Sequence, residues 1–404
     1  MTAFEISLLA LGCLVMTGAL LSAAAKRTML SLSALFVLCG MALGDGGVGL
    51  VHFNPHQMFV EELAIVALVL VLFRDGLEVD HELVRRSWRL PLRKLLLGMP
   101  LTATLIAGAA HLLLGLDWIP ALLLGTLLSP TDPILSSNVV SNPGVPDRVR
   151  SSLHLESGLN DGLALPAVLT LTTLATAGSQ DDVTWWKFVA QDVTLGLLIG
   201  AAVGVLSARL LPSSEKVRPH FPAHTKSMYA LGVPMVAYGL AVSPLHGNGF
   251  IAVFVSAVCL AHLRPDVAHK FERADDVVEI VKVGVFTVFG ALLSLELLTA
   301  NGWQGAALVA VALFVARPVA VLLSLARTEL TLTEKLFMGW FGPRGIASVA
   351  FALIVLSYKI PDGEQIFQLA ALTVLCSVVM HGLTDTPAAN WMARRAQRPA
   401  AAGA

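Results

Sequence analysis

Apolar residues run along this chain in blocks of about twenty, each long enough to cross the hydrocarbon of a bilayer as a helix. Thirteen such blocks lie near 4–25, 29–43, 57–77, 93–114, 118–140, 148–177, 188–210, 226–244, 247–263, 277–298, 303–325, 335–357 and 364–386. The second is short, and the sixth is long enough to begin outside the hydrocarbon. Short turns rich in Gly, Pro, Asp and Asn separate them, as in GDGGVGLVHFNP and SNPGVPDR. No long linker, low-complexity stretch or soluble domain interrupts the series. The pattern predicts an all-α polytopic membrane protein of about 13 transmembrane helices over 1–391, followed by a short basic cytoplasmic tail over 392–404. The first block opens MTAFEISLLALG, with Glu5 and no Lys or Arg before Lys26, so it lacks the basic start of a signal peptide and reads as a retained span.

The distribution of positive charge tests the number of blocks. With thirteen spans, alternate connections fall on opposite sides of the membrane. One set gathers twenty-one of the 27 Lys and Arg residues, and the other holds only Lys187 and Lys359. Arg74, Lys282, Arg317 and Arg344 fall within or at the edge of spans. Basic connections stay in the cytoplasm, which places the N-terminus outside and the C-terminus inside. Composition agrees: 56% of the 404 residues are hydrophobic and 14% charged, against about 25% charged in an average soluble domain. A net charge of -1 gives no ground for a nucleic-acid partner. Cys13, Cys39, Cys259 and Cys376 each lie in an apolar run with no CxxC pair, and read as small buried hydrophobes.

Ionisable groups inside spans are costly, about 2.5–3.5 kcal/mol each on insertion scales, and persist where they are paired or line a wet path. Asp132, Asp161, Arg317 and Arg344 lie well inside, with Glu156 and Lys282 at membrane depth. Asp132 stands in SPTDP, where Pro130 and Pro133 disturb the helix and free carbonyls that, with the carboxylate, suit a small hard cation. A plain proline kink with a hydrogen-bonded Asp is the alternative. In ESGLNDG, Ser157, Asn160 and Asp161 converge on one side of a helix, offering the oxygen ligands that hard cations take. Asp161 can also bind a proton, and one carboxylate holding either a proton or a cation is the simplest chemical basis for exchange. A polar packing cluster is the alternative there. FGPRGIASVAF predicts a second broken helix around Arg344, with Glu156 or Asp132 as its counter-ion. Spans 5 and 12 are then both interrupted and could correspond in two repeats.

Other features are read as structural. Lys282 and the Arg317-Pro318 pair suggest core ion pairs. Arg74, Asp75 and Glu78 suggest a local salt-bridge cluster at the cytoplasmic boundary. Glu296 and His246 belong to outer ends, and His154 adjoins Glu156. No HExxH, GxSxG or Walker sequence supports hydrolysis.

TDP followed by ESGLNDG, then GPRG late in the chain, resembles the monovalent cation/proton antiporter family in its NhaP-type branch. LFRDGLEVD and HGNGFIAVFV resemble segments of that family too, so the similarity covers the whole membrane domain. The resemblance implies inverted repeats with two crossed discontinuous helices (spans 5 and 12), a homodimer and alternating access. It implies that Asp161 exchanges cation and proton, and that Thr131, Asp132, Glu156 and Ser157 supply or support coordination of the monovalent cation. Asn160, in place of a second aspartate, implies electroneutral one-for-one exchange. Arg344 braces the core through Glu156 or Asn160, with Pro133 and Gly345 shaping the breaks. Na⁺ or K⁺, with Li⁺ possible, and H⁺ are the transported substrates. No cofactor is expected, and a bacterial inner membrane is the expected setting. The sequence carries no long cytoplasmic regulatory domain of the kind larger relatives have. Two other classes are compatible: a cation channel, disfavoured by the lack of a repeated carbonyl filter, and an intramembrane aspartyl hydrolase using Asp132 and Asp161.

Overall fold

A computed structural model describes residues 32–78, 88–132, 137–176, 185–211, 223–243, 245–265 and 272–397, with three isolated positions before them. The expected first span falls almost wholly outside the described residues, as do Pro133 and the last seven residues. Among the described residues every regular element is a helix. In chain order these are α1 (Leu32–Leu43), α2 (Met58–Leu77), α3 (Arg89–Leu114), α4 (Trp118–Leu127), α5 (Ser137–Ser141), α6 (Asp147–Thr176), α7 (Trp185–Leu210) and α8 (Ala223–Val242). Then follow α9 (Gly249–Leu263), α10 (Glu272–Leu292), α11 (Leu295–Thr299), α12 (Gly302–Ser324), α13 (Leu332–Trp340), α14 (Ile346–Ser357) and α15 (Gly363–Gln397).

Four of these provide continuous segments long and apolar enough to cross a membrane on their own: Arg89–Leu114, Ala190–Leu210, Gly302–Ser324 and Gly363–Ala396. The remaining apolar helices are shorter. Local chemistry sets several ends. Gly115 takes a left-handed conformation (φ 70°) that closes α3. Asn248 caps α9 through the N–H of Ile251, and Thr331 and Glu334 form a capping box at the start of α13. The last helix continues through the boundary expected at 391. Arg394 and Arg395 form its last turn, where positive charge suits the helix dipole, and Arg395 lies 5.7 Å over the Trp391 ring.

Burial singles out two helices. Every residue of α14 from Ile346 to Leu356 is buried, as is the run Ala67–Phe73 of α2. Helices apolar on all sides belong in the middle of a bundle, with the others between them and lipid. Small residues allow tight approaches: a β-carbon at Gly40 would overlap the Thr287 carbonyl of α10, and one at Gly290 that of Val37 on α1. Around this centre two apolar stretches are interrupted. Helix α4 stops at Leu127, and the chain is irregular over 128–132. Helix α13 stops at Trp340 and the chain is irregular over 341–345 before α14 resumes. Pro130 and Pro343 lie in these stretches, and neither can donate to a helical ladder.

Candidate functional site

Unwound backbone in an apolar bundle strands polar groups that water cannot reach. Each interruption here is satisfied largely by the other. The N–H of Asp132 donates to the Pro343 carbonyl at 2.8 Å. Arg344, fully buried, donates through Nη1 to the carbonyls of Ser129 (2.9 Å) and Pro130 (3.1 Å). The Ser348 hydroxyl reaches the Leu127 carbonyl at 2.9 Å. The Asp132 carboxylate accepts the N–H of Ile346 at 3.4 Å, at the N-terminal turn of α14, where the helix dipole favours an anion. Gly345 makes room for it, because a β-carbon there would overlap that carboxylate.

Two expectations change at this point. The freed carbonyls of Ser129 and Pro130 are not open to a cation, because the Arg344 guanidinium occupies them. Arg344 in turn makes no contact ion pair with Glu156 or Asp132, although Glu156 is the acid whose charge it feels. The carbonyls of the neighbouring break offer fixed acceptors within reach and take their place.

Helix α6 carries the rest of the predicted set on two faces. Asn160 donates through Nδ2 to the Thr131 carbonyl (2.8 Å) and hydroxyl (2.9 Å), tying α6 to the first interruption. Ser157 and Asp161 lie one turn apart, and both are buried. Asn160 Oδ1 and Asp161 Oδ1 are buried acceptors with no hydrogen-bond partner among the described residues. Asp161 interacts electrostatically with Asp75, Asp132 and Lys282. Pro133 lies outside the described residues.

Glu156, expected beside the cation, faces elsewhere. It is five residues before Asp161, about 140° away around the helix. Lys94 Nζ lies 2.6 Å from Glu156 Oε2, and Arg317 reaches both carboxylate oxygens, at 3.1 and 3.2 Å. Arg317 also donates to the Phe341 carbonyl at 3.1 Å, which joins this cluster to the second interruption. Both cations sit at π-helical irregularities. Lys94 opens the turn Lys94–Gly98, and Arg317 directly follows Val311–Ala316. Such bulges recur at functional sites because the extra residue re-aims a side chain. Arg317 is thus the core ion pair anticipated for it. Lys94, at the edge of the block expected over 93–114, counts in sequence among the cytoplasmic basic residues, and nothing in RLPLRKLLLG distinguishes it from Arg93, which reaches the Ala326 carbonyl.

The LFRDGLEVD cluster divides. Arg74 and Glu78 pair at 3.1 Å as expected. Asp75 is buried and feels Glu78 and Arg74 as expected, but also Lys282 and Asp132 from elsewhere in the bundle, and it acts in turn on Asp161. Lys282 is buried as well and makes no contact ion pair among the described residues, although Asp75 and Asp132 are among the charges it feels. Alternation and helix spacing could not have placed Asp75 here. Its charged neighbours outside its own helix come from two other helices and the 128–132 stretch.

Buried acids set between two interrupted helices of an apolar bundle define, by class, a secondary membrane transporter. The chain belongs to the sodium/hydrogen exchanger family, whose transmembrane model matches residues 14–391, and it is a transporter rather than an enzyme. It is 29% identical over 396 residues to the K(+)/H(+) antiporter NhaP of Alkalimonas amylolytica, covering 97% of this chain and 68% of that protein. It is 25% identical over 377 residues to the K(+)/H(+) antiporter NhaP2 of Shewanella sp. (strain MR-4), covering 92% and 64%. It is 27% identical over 364 residues to the Na(+)/H(+) antiporter NhaG of Bacillus atrophaeus, covering 84% and 67%. The chain therefore spans about two thirds of the length of these relatives. Its fold matches the structure of the sodium proton antiporter MjNhaP1 from Methanocaldococcus jannaschii, with a TM-score of 0.77 at 20% identity over 98% of this chain and 99% of that one.

Proposed function

We propose that the chain exchanges Na⁺ or K⁺ for H⁺, one for one and electroneutrally, with cation and proton competing for Asp161. The observation that carries this is the buried Asp161 oxygen to which no group among the described residues donates, with the Oδ1 of the adjoining residue Asn160 equally unpartnered. Buried polar atoms are nearly always satisfied. An acceptor left open in this way is completed by a cation, or at the carboxylate by a proton. Asp132, Thr131 and Ser157 complete the oxygen set, and hard monovalent cations take such ligands. Glu156, already held by two cations, supports the fold of the site, as do Asn160, Arg344, Pro133 and Gly345.

The same proposal takes thirteen spans in two inverted repeats, with the fifth and twelfth discontinuous and crossing at the 128–132 and 341–345 stretches. The functional unit is a homodimer working by alternating access. It sits in a bacterial plasma membrane with the N-terminus outside and the C-terminus in the cytoplasm. K(+)/H(+) and Na(+)/H(+) names both occur among the relatives, so the transported cation is a matter for measurement. The test is proton flux in proteoliposomes with an internal pH dye, after adding Na⁺ or K⁺ at clamped voltage. Cation-driven flux indifferent to voltage supports electroneutral exchange, and Asp161→Asn should abolish it in folded protein. Exchange retained in that variant would sink the assignment.

A further inference from the structure

In a continuous helix the carbonyl of Trp340 would accept the N–H of Arg344, four residues on. The break between α13 and α14 removes that bond. Helix α15 supplies both missing partners from one face, using residues four apart. The hydroxyl of Ser377 accepts the Arg344 N–H at 2.8 Å, and His381 Nε2 lies 2.9 Å from the Trp340 carbonyl. That carbonyl also receives the N–H of Gly342 at 2.9 Å. His381 Nδ1 lies 3.2 Å from the Ser377 hydroxyl and 2.8 Å from the Ser377 carbonyl. Two links replace the lost bond: Arg344 N–H donates to Ser377 Oγ, and His381 Nε2–H donates to Trp340 O, while Nδ1 faces the carbonyl and hydroxyl of Ser377 on its own helix. One turn further along α15, Thr384 accepts the Trp340 indole N–H at 3.1 Å, and the His381 and Trp340 rings pack with centroids 5.1 Å apart. Ser377 and His381 are both buried.

We propose that Ser377 and His381 are positioning residues for exchange, a side-chain relay standing in for the helical hydrogen bond lost at the break. They touch no transported ion. They fix the peptide of Arg344, whose guanidinium holds the carbonyls of Ser129 and Pro130 and so sets the neighbouring Thr131 and Asp132. A mid-helix histidine in an otherwise apolar run gives no sign of this in sequence, because its partners come from another helix.

This rests on the antiporter proposal, and one experiment separates the two. Cation-driven proton flux is measured in proteoliposomes for the wild type and for Ser377→Ala, His381→Leu, His381→Gln and the Ser377→Ala/His381→Leu pair, with melting followed in parallel. Ser377→Ala and His381→Leu should each raise the half-saturating cation concentration about tenfold, the size of one lost buried hydrogen bond. The pair should be no worse than the larger single change, since both act through one peptide. His381→Gln keeps a donor toward the Trp340 carbonyl and should restore most of the affinity. Lower melting with an unchanged half-saturation would make the relay merely structural and overturn the proposal. If His381→Leu does not fold, wild-type half-saturation in Ser377→Ala, which loses a single oxygen, overturns it alone. Absence of flux from folded wild type would overturn both this proposal and the antiporter assignment.

Discussion

Replacing Glu156 by Gln should destabilise the bundle more than any other single uncharging of a buried acid. Its carboxylate lies between two cations, Lys94 at 2.6 Å and Arg317 at 3.1 and 3.2 Å. Each contact is worth about 5 kcal/mol of Coulomb energy at an effective dielectric near 20, before desolvation is subtracted. Breaking such a buried pair by removing one partner costs about 3–5 kcal/mol, because a charge is left uncompensated. In Glu156→Gln two cations are left facing each other. Lys94→Met is milder, since Arg317 keeps both carboxylate oxygens and the methionine stem fills the lysine's volume. The double variant Lys94→Met/Glu156→Gln removes one charge of each sign. It should recover about 2 kcal/mol or more relative to Glu156→Gln alone. Thermal unfolding of purified protein in detergent should rank wild type first, then the double variant, then Glu156→Gln. Glu156 also faces away from Asp161, so the folded double variant should keep cation-driven proton flux at close to the wild-type half-saturation. Losses that simply add, or a double variant that folds but needs far more cation, would refute the separation of this cluster from the cation site.

Further outcomes follow from the same geometry. Gly345→Ala should remove most exchange activity in the flux assay while the protein stays in the membrane, because the new methyl overlaps the Asp132 carboxylate. Lys282→Met should lower the half-saturating cation concentration about threefold or more, since it deletes a buried ammonium that competes for the field of Asp75, Asp132 and Asp161. Arg148 and Glu334 pair bidentately at 2.7 and 2.9 Å, with the arginine half exposed. A double-mutant melting cycle there should give a coupling of about 1 kcal/mol, with half-saturation unchanged.

How much of this was legible in the sequence depends on the range of each interaction. Blocks of apolar residues located α2, α3, α7, α9 and α12 because twenty residues suffice to encode a buried or lipid-facing helix. Pro130 and Pro343 marked the interruptions because proline acts on its own turn. The Arg74–Glu78 pair was readable from its spacing of four. Lys94 was not, because its carboxylate lies 62 positions away, and a lysine beside an arginine at a helix start looks like a loop residue. Asp75 was read with its chain neighbours for the same reason. The π-helical turns at Lys94–Gly98 and Val311–Ala316 leave no local signal at all, since they express a tertiary demand for the aim of one side chain. The continuation of α15 to Gln397 overrode a composition that favours a loose tail, helped by basic residues placed at a helix C-terminus.

The occupancy of the broken backbone bears on why such a site would couple a cation to a proton. A cage of bare carbonyls can hold a cation but has no ordinary protonated form. Here the carbonyls of Ser129 and Pro130 go to Arg344, that of Thr131 to Asn160, that of Phe341 to Arg317 and that of Pro343 to the Asp132 N–H. The protein's own donors have engaged these carbonyls. Among the buried side-chain oxygens left unpartnered within the described residues are those of Asp161 and its amide neighbour Asn160. A site whose remaining open ligand is a carboxylate can be neutralised by either ion but not by both at once, and that exclusivity is what a proton-coupled exchanger needs and a channel does not. The basic groups Lys94, Arg317 and Arg344 meanwhile engage Glu156 and backbone, and none of them makes a contact ion pair with Asp161 among the described residues. Moving Arg344 off its carbonyls should therefore weaken coupling: freed carbonyls would hold a cation regardless of the protonation of Asp161.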